Sequence, residues 1–261
     1  MRVAAIGDNC IDVYPRLGRQ YPTGNAVDFA VNIRKLGFPT AVVSVTGSDD
    51  NGRWMLDTLK AEGIDISHLR VGNGATAITT MDMDGKDRVH GEYVEGVLAD
   101  LVFTPEEVDF AARHDLVHTA FWGKAENNLA ELKGRGALLS FDYSTKKDDP
   151  LVARTLPYVD YAFFSLKRTE AETYLKDAWK MGPKVVVGTF GADGSLAYDG
   201  ELFYQFGIFP AQVENTVGAG DAFIAGFMAE VLHGHGLEEA LRGGARVAAE
   251  VVEVFEPWVK K

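Results

Sequence analysis

The chain has 261 residues, 46% of them hydrophobic and 25% charged, a composition that supports a buried core and lies far from the signature of disorder. Its 38 acidic against 26 basic residues give a formal net charge of -12 spread along the chain, so the average surface repels polyanions and nucleic acid is excluded as an expected partner. The single cysteine, Cys10, excludes an intrachain disulfide and any multi-cysteine metal site, which fits a reducing cytoplasm.

The run VAAIG, residues 3–7, is too short for a signal segment or a membrane span and predicts a first β-strand ending at Gly7-Asp8. Apolar residues at helical spacing then predict a helix from Asn25 to Leu36, closed by Gly37, and a second from Asp50 to Glu62, closed by Gly63. Between them TAVVSVTG, residues 40–47, predicts a buried strand. Residues 75–93, ATAITTMDMDGKDRVHGEY, alternate with period two around a DGKD turn, the pattern of an antiparallel hairpin. Thr104-Pro105-Glu106-Glu107 carries a capping-box start, and a helix to about Arg113 follows.

Downstream, LVHTAFWG, LLSFDYS, YVDYAFFS and KVVVGTFG predict buried strands, with helices between them near Lys124 to Arg135 and Thr169 to Met181. Such alternation implies an α/β fold with a mainly parallel central sheet between helix layers. The hairpin is too small to bury a core of its own, so the expectation is a single domain over residues 1–261 with a small β-lid or dimer edge. No internal repeat, low-complexity stretch or linker divides the chain.

The strongest chemical signal is NTVGAGDAFIAGFMAEVL, residues 215–232, a glycine-rich turn that opens into a helix. Gly218, Ala219 and Gly220 let the backbone approach an anion, and the helix N-terminus adds partial positive charge where a transferring phosphoryl group gains negative charge. Asp221 beside it is either the base that takes the proton of an attacking hydroxyl or simply the helix N-cap. Asp12 at a strand's C-terminal end and Asn25 at a helix start point toward the crevice where open α/β sheets bind ligands, although either alone reads first as a turn Asp or an N-cap Asn, and Asp28 shares the helix face of Asn25. Thr189-Phe190-Gly191-Ala192-Asp193-Gly194 reads equally as a ligand turn or a hairpin turn, and Glu170 as a metal-shell carboxylate or a first-turn helix acid. His233 and His235 flank glycines at an expected helix end and are read as capping its last carbonyls.

The stretch from Thr216 to Phe227 resembles the C-terminal signature of the PfkB, or ribokinase-like, carbohydrate kinase family, D-T-x-G-A-G-D-x-F-x-x-G-F, with Asn215 standing where the family has Asp. Gly7-Asp8-Asn9-Cys10-Ile11-Asp12 is similar to the family's G-D-x-x-x-D, and Thr23-Gly24-Asn25-Ala26 to its G-G-N-A. The resemblance implies a ribokinase-like three-layer sandwich with lid segments at approximately residues 12–22 and 74–96, and ATP with Mg2+. It implies that Asp12, Gly24, Asn25 and Asp28 seat the sugar, that Thr189, Gly191, Gly194 and Asn215 lie on the nucleotide side, and that Asp221 is the base. Where the family has N-x-x-E this chain has Lys167-Arg168-Thr169-Glu170, so Glu170 alone survives there as an expected metal-shell residue.

Within the family, segments such as GDNCIDVYP, TGNAV, DRVHGEYVEGVLADL, DLVHTAFWGKAE and FDYS resemble the bacterial subgroup that acts on fructosamine-type substrates such as fructoselysine. That implies phosphorylation of the primary (6-) hydroxyl of a ketose joined to an amino acid's amine, and Arg88 on the hairpin is the expected partner of the carboxylate. A kinase for an unmodified sugar or sugar acid and a non-catalytic sugar-binding relative stay open, as does a homodimer through the lid.

Overall fold

In the computed structural model, which describes residues 1–85 and 87–260, the chain starts with β1 (Val3–Ile6) and then makes two strands outside the central sheet, β2 (Cys10–Tyr14) and β3 (Arg19–Thr23). After them come α1 (Asn25–Lys35), β4 (Thr40–Gly47), α2 (Asp50–Ala61), β5 (Asp65–Gly72), β6 (Ile78–Asp84) and β7 (Asp87–Val94). The next elements are α3 (Pro105–Ala112), β8 (Leu116–Ala120), α4 (Leu129–Gly134), β9 (Leu138–Asp142), α5 (Pro150–Thr155), β10 (Tyr161–Ser165), α6 (Ala171–Trp179) and β11 (Val185–Thr189). The chain ends through β12 (Ser195–Tyr198), β13 (Phe203–Phe206), α7 (Ala219–Leu232) and α8 (Leu237–Val251).

Side-chain chemistry sets the helix starts. The Asp49 carboxylate accepts from the Gly52 N–H at 2.9 Å to open α2, and Thr104 with Glu107 closes the expected capping box before α3. The helix expected from Lys124 begins only at Leu129, because Lys124 takes φ 54° and a turn through Asn128 intervenes.

Strand order in the nine-stranded sheet is β13-β12-β11-β10-β9-β8-β1-β4-β5, parallel from β5 to β11, with the last two strands antiparallel. Pleating sends Val3 and Ala5 into one core, shared with α1, α2, α7 and α8, and Ala4 and Ile6 into the other, shared with α3 to α6. This is a three-layer α/β sandwich. The chain runs outward from β1 through β4 to β5, then crosses back to β8 and runs outward the other way, so the strand order switches beside β1. In open sheets of this kind ligands bind at the carboxyl ends of the strands near that switch.

A second sheet of order β3-β2-β6-β7 stands apart. The hairpin expected over residues 75–93 is its β6–β7 pair, antiparallel from Ile78↔Val94 to Asp84↔Asp87; Lys86 of the expected turn lies outside the described residues. Asp12 is not at a strand's C-terminal end but in the middle of β2, paired with Tyr21 and Thr79. Tyr14, Tyr21 and Met81 of this sheet pack with Val217 and Phe255.

Candidate active site

The glycine-rich turn before α7 is braced from below. Asn215, fully buried, donates through Nδ2 to the Phe255 carbonyl at 3.0 Å and accepts from the Val217 N–H at 3.1 Å. Both halves of its amide are thereby engaged in holding the turn. Gly218 takes φ 70°, and a Cβ there would lie 2.8 Å from Pro257, so glycine is required on two counts. Gly218 is also the helix N-cap, which places Asp221 at the third helical position and not at the cap. The capping reading of Asp221 therefore fails: its Oδ1 accepts instead from Asn25 Nδ2 at 3.0 Å, across the crevice.

Asn25 is brought there by the start of α1. Gly24 is the N-cap with φ 126°, and a Cβ there would come within 2.7 Å of the Asn9 Cα. The Asn25 N–H is satisfied by Asp8 Oδ2 at 3.0 Å, which frees the Asn25 side chain for Asp221. One turn further, Asp28 is 3% exposed and accepts from Thr23 Oγ1 at 2.8 Å, leaving Oδ1 without a partner among the described residues.

Carboxylates crowd this crevice. Burial, followed by the charge of Asp142, pushes the Asp221 carboxyl well above its ordinary value, and burial, followed by the charge of Asp221, does the same to Asp28. Asp142 at the end of β9 and Asp12 in β2 are each pushed up to about 6, in both cases chiefly by burial. Asp8 is raised as well, again by burial. Against these, the Arg88 guanidinium holds Asp12, Asp142 and Asp221 lower than they would otherwise stand. Arg88 extends from β7 to donate to the Thr216 carbonyl at 3.4 Å, beside the turn. A site with this electrostatic balance suits hydroxyl groups, which donate hydrogen bonds to carboxylates, and cations.

The pattern of the pfkB family carbohydrate kinases matches residues 4–257. The chain belongs to this family. This kinase is 38% identical over 259 residues, 98% of its own length and 99% of its relative's, to the fructoselysine 6-kinase of Escherichia coli K12. It is 35% identical over 263 residues, 98% of its length and 92% of the relative's, to a fructosamine kinase of Bacillus subtilis. Among solved structures it superposes on Arabidopsis thaliana ribokinase complexed with ribose and ATP at a TM-score of 0.86 and 21% identity, covering 98% of this chain and 93% of that one. Thermotoga maritima ribokinase superposes at a TM-score of 0.84 and 19% identity, over 98% and 94%. The fold of this kinase is accordingly ribokinase-like, and its activity is that of an ATP-dependent sugar kinase. No helix among the described residues is long and apolar enough to cross a membrane.

The other expected site residues fall in two groups. Thr189 ends β11, and Gly191 and Gly194 lie in the turn that leads to β12, at the same end of the sheet as Asp8 and Asp142. Gly191 (φ 58°) and Gly194 (φ 88°) shape this hairpin turn, and a Cβ on Gly194 would strike the Phe206 carbonyl. Glu170 instead meets Lys147 Nζ at 2.8 Å and the Lys167 N–H at 3.3 Å, the arrangement of an ion-paired acid at a helix start. Lys147 and the Lys167 N–H hold its carboxyl below the ordinary range. Asp8 belongs to the G-D-x-x-x-D motif without a role assigned to it there, and Asp142 was not singled out in the sequence. The signal for both was available: each is a carboxylate at the carboxyl end of an apolar run that reads as a parallel strand.

Proposed function

We propose that this kinase transfers the γ-phosphoryl group of ATP to the primary (6-) hydroxyl of a fructosamine-type substrate such as fructoselysine, with Asp221 as general base. The observation that carries the base assignment is the position of Asp221. It is a buried carboxylate at the third residue of α7, beside the helix start, where the first backbone N–H groups have no intrahelical acceptor, and it is oriented by Asn25. The substrate class is carried by similarity along almost the whole chain to two kinases of that kind.

In this reading Asp12, Gly24, Asn25 and Asp28 seat the sugar. The hydroxyl proton passes to Asp221 as the O6–P bond forms and the bond from phosphorus to the leaving oxygen of ADP breaks. The backbone N–H groups of Gly218, Ala219 and Gly220 face the phosphoryl oxygens, where the helix N-terminus favours negative charge. Thr189, Gly191 and Gly194 contact the nucleotide, and Asn215 acts on it through the turn it braces. Mg2+ is a hard cation that prefers oxygen ligands, and the carboxylates of Asp8 and Asp142 fit it, with Glu170 a candidate in the outer shell once released from Lys147. When bound with ATP it would neutralise phosphate charge and favour the ionised carboxylates around it.

The four-stranded sheet acts as the lid: its core residues pack on Val217 of the anion turn, so closing it over the sugar and ordering that turn are one event. The outer face of its edge strand presents Val89 and Val94 to solvent, a face suited to a homodimer through the lid, which light scattering would detect. The functional test is turnover of ATP and magnesium with fructoselysine, related adducts, fructose, ketodeoxygluconate and ribose. Preference for an adduct supports the reading, and preference for a plain sugar removes its substrate half while leaving Asp221 in place.

A further inference from the structure

The kinase chemistry occupies the N-terminal end of α7, and the C-terminal end of the same helix carries a second cluster of donor atoms. The helix ends at Leu232 and the chain leaves through His233, Gly234 and His235. Gly234 takes φ 82°; its N–H donates to the Val231 carbonyl at 2.9 Å, while the His235 N–H donates to the Glu230 carbonyl at 3.0 Å. This pair of bonds is a Schellman cap, in which a left-handed residue folds the chain back over the last turn. Its consequence is positional. His235 returns beside Glu230, with Nδ1 2.6 Å from Oε2, and His233 lies three residues after Glu230 on the same helix face. One donor atom from each of the three side chains falls within 4.8 Å of the others.

We propose that Glu230, His233 and His235 form a surface site for a first-row transition-metal dication such as Zn2+ or Co2+. Two imidazoles and one carboxylate make the mixed nitrogen and oxygen set that such ions take, whereas Mg2+ and Ca2+ favour oxygen alone. Donors about 2.0–2.2 Å from a tetrahedral ion stand about 3.4 Å apart, so the His235–Glu230 hydrogen bond has to open by less than about 1 Å. The His235 side chain is 54% exposed and free to make that movement. Three features favour occupancy. The cap holds the backbone of all three ligands before any ion arrives. The His233 ring is steadied against Phe38 at 5.0 Å between centroids. The last carbonyls of a helix carry partial negative charge, which favours a cation there. Arg246 is the competing cation, but it lies 3.4 Å from Glu230 Oε1, the oxygen that does not face His235. The site is one helix length from Asp221 and takes no part in the proposed phosphoryl transfer.

The test uses the untagged full-length protein, titrated with Zn2+ by calorimetry and with Co2+ by visible absorption, beside His235→Ala and the double variant His233→Ala/His235→Ala. The expected result is one ion per chain, a cobalt spectrum of low-coordinate type, and a thermal midpoint that climbs with metal concentration. His235→Ala should weaken binding by about tenfold or more, as loss of one of three protein ligands requires, with basal kinase turnover unchanged. Absence of saturable binding below about 1 mM metal would overturn the site. Binding of undiminished strength in the double variant would overturn it too, by placing the ion on the crevice carboxylates.

Discussion

The two sheets of this kinase differ in what covers them. The nine-stranded sheet is packed by helices on both faces, and its central strands β1, β4 and β8 are buried along their whole length. The four-stranded sheet is buried on the side of the crevice and open on the other, with Val89 and Val94 exposed. Yet the second sheet carries Asp12 and Arg88, while the first supplies Asp8 and Asp142 at the ends of its strands. The larger sheet sets a rigid floor, the smaller one brings charge to it, and Asn25 and Asp221 meet between them on the starts of α1 and α7.

The comparison is most sharply broken at the residue that belongs to neither sheet. Asp221→Asn keeps the size and the position of the side chain but removes the basic oxygen, and turnover should fall by roughly 10²- to 10⁴-fold, with nucleotide binding retained. Steady-state kinetics beside a nucleotide-binding titration checks it, and near-normal turnover would return Asp221 to a structural role. In the floor, Phe163 of β10 is 1% exposed and meets Phe227 of α7 edge-on, with centroids 5.3 Å apart. Phe163→Ala should cost about 3–5 kcal/mol in denaturant unfolding, because a close-packed interior refills such a cavity only in part.

The same difference in covering explains what could be read without a structure. Strands buried on both faces must be apolar throughout, so TAVVSVTG and KVVVGTFG announce themselves. The edge strand β5, DISHLRVG, buries only Leu69 and shows no such run. Helix α8 was hidden by Gly243-Gly244, a pair that reads as a helix breaker. Packing requires the pair: a Cβ on Gly244 would lie 2.8 Å from the Phe223 carbonyl of α7, and one on Gly226 would lie 2.5 Å from the Gly243 carbonyl. At the site, the turn from Asn215 to Asp221 was legible because its chemistry is contiguous in sequence. The neighbourhood of Asp12 was not, since β2 joins β6 through the pair Ile11↔Ile78, which no local pattern encodes.

A smaller effect separates the sheets by pH. Asp12 stands at about 6 in the folded protein against an ordinary 3.8, so between those values the folded state holds a proton that the unfolded chain has lost. Its contribution to stability is therefore complete below about pH 4 and is lost as pH rises through about 6, a change of about 3 kcal/mol at most. Asp12→Asn should flatten that part of the pH profile. The measurement is the difference between variant and wild-type unfolding free energies from pH 4 to 7.5. A difference that does not change with pH would mean that Asp12 ionises as an ordinary surface carboxylate.

The smallest effect concerns Arg88, and it decides which side of the crevice the four-stranded sheet serves. If Arg88 pairs the carboxylate of an amino-acid adduct, Arg88→Ala should raise KM for fructoselysine by about tenfold, the loss of one charge-assisted hydrogen bond, and leave KM for fructose unchanged. Its observed partner, the Thr216 carbonyl at 3.4 Å, lies instead against the anion turn. A guanidinium that stays there acts on the phosphoryl group and on Asp221, and its removal would lower kcat on both sugars alike. Because Arg88 also holds Asp12 down, either outcome should come with a further rise in the Asp12 carboxyl. That rise shows the side chain reaching the crevice, and the split between KM and kcat then assigns its role.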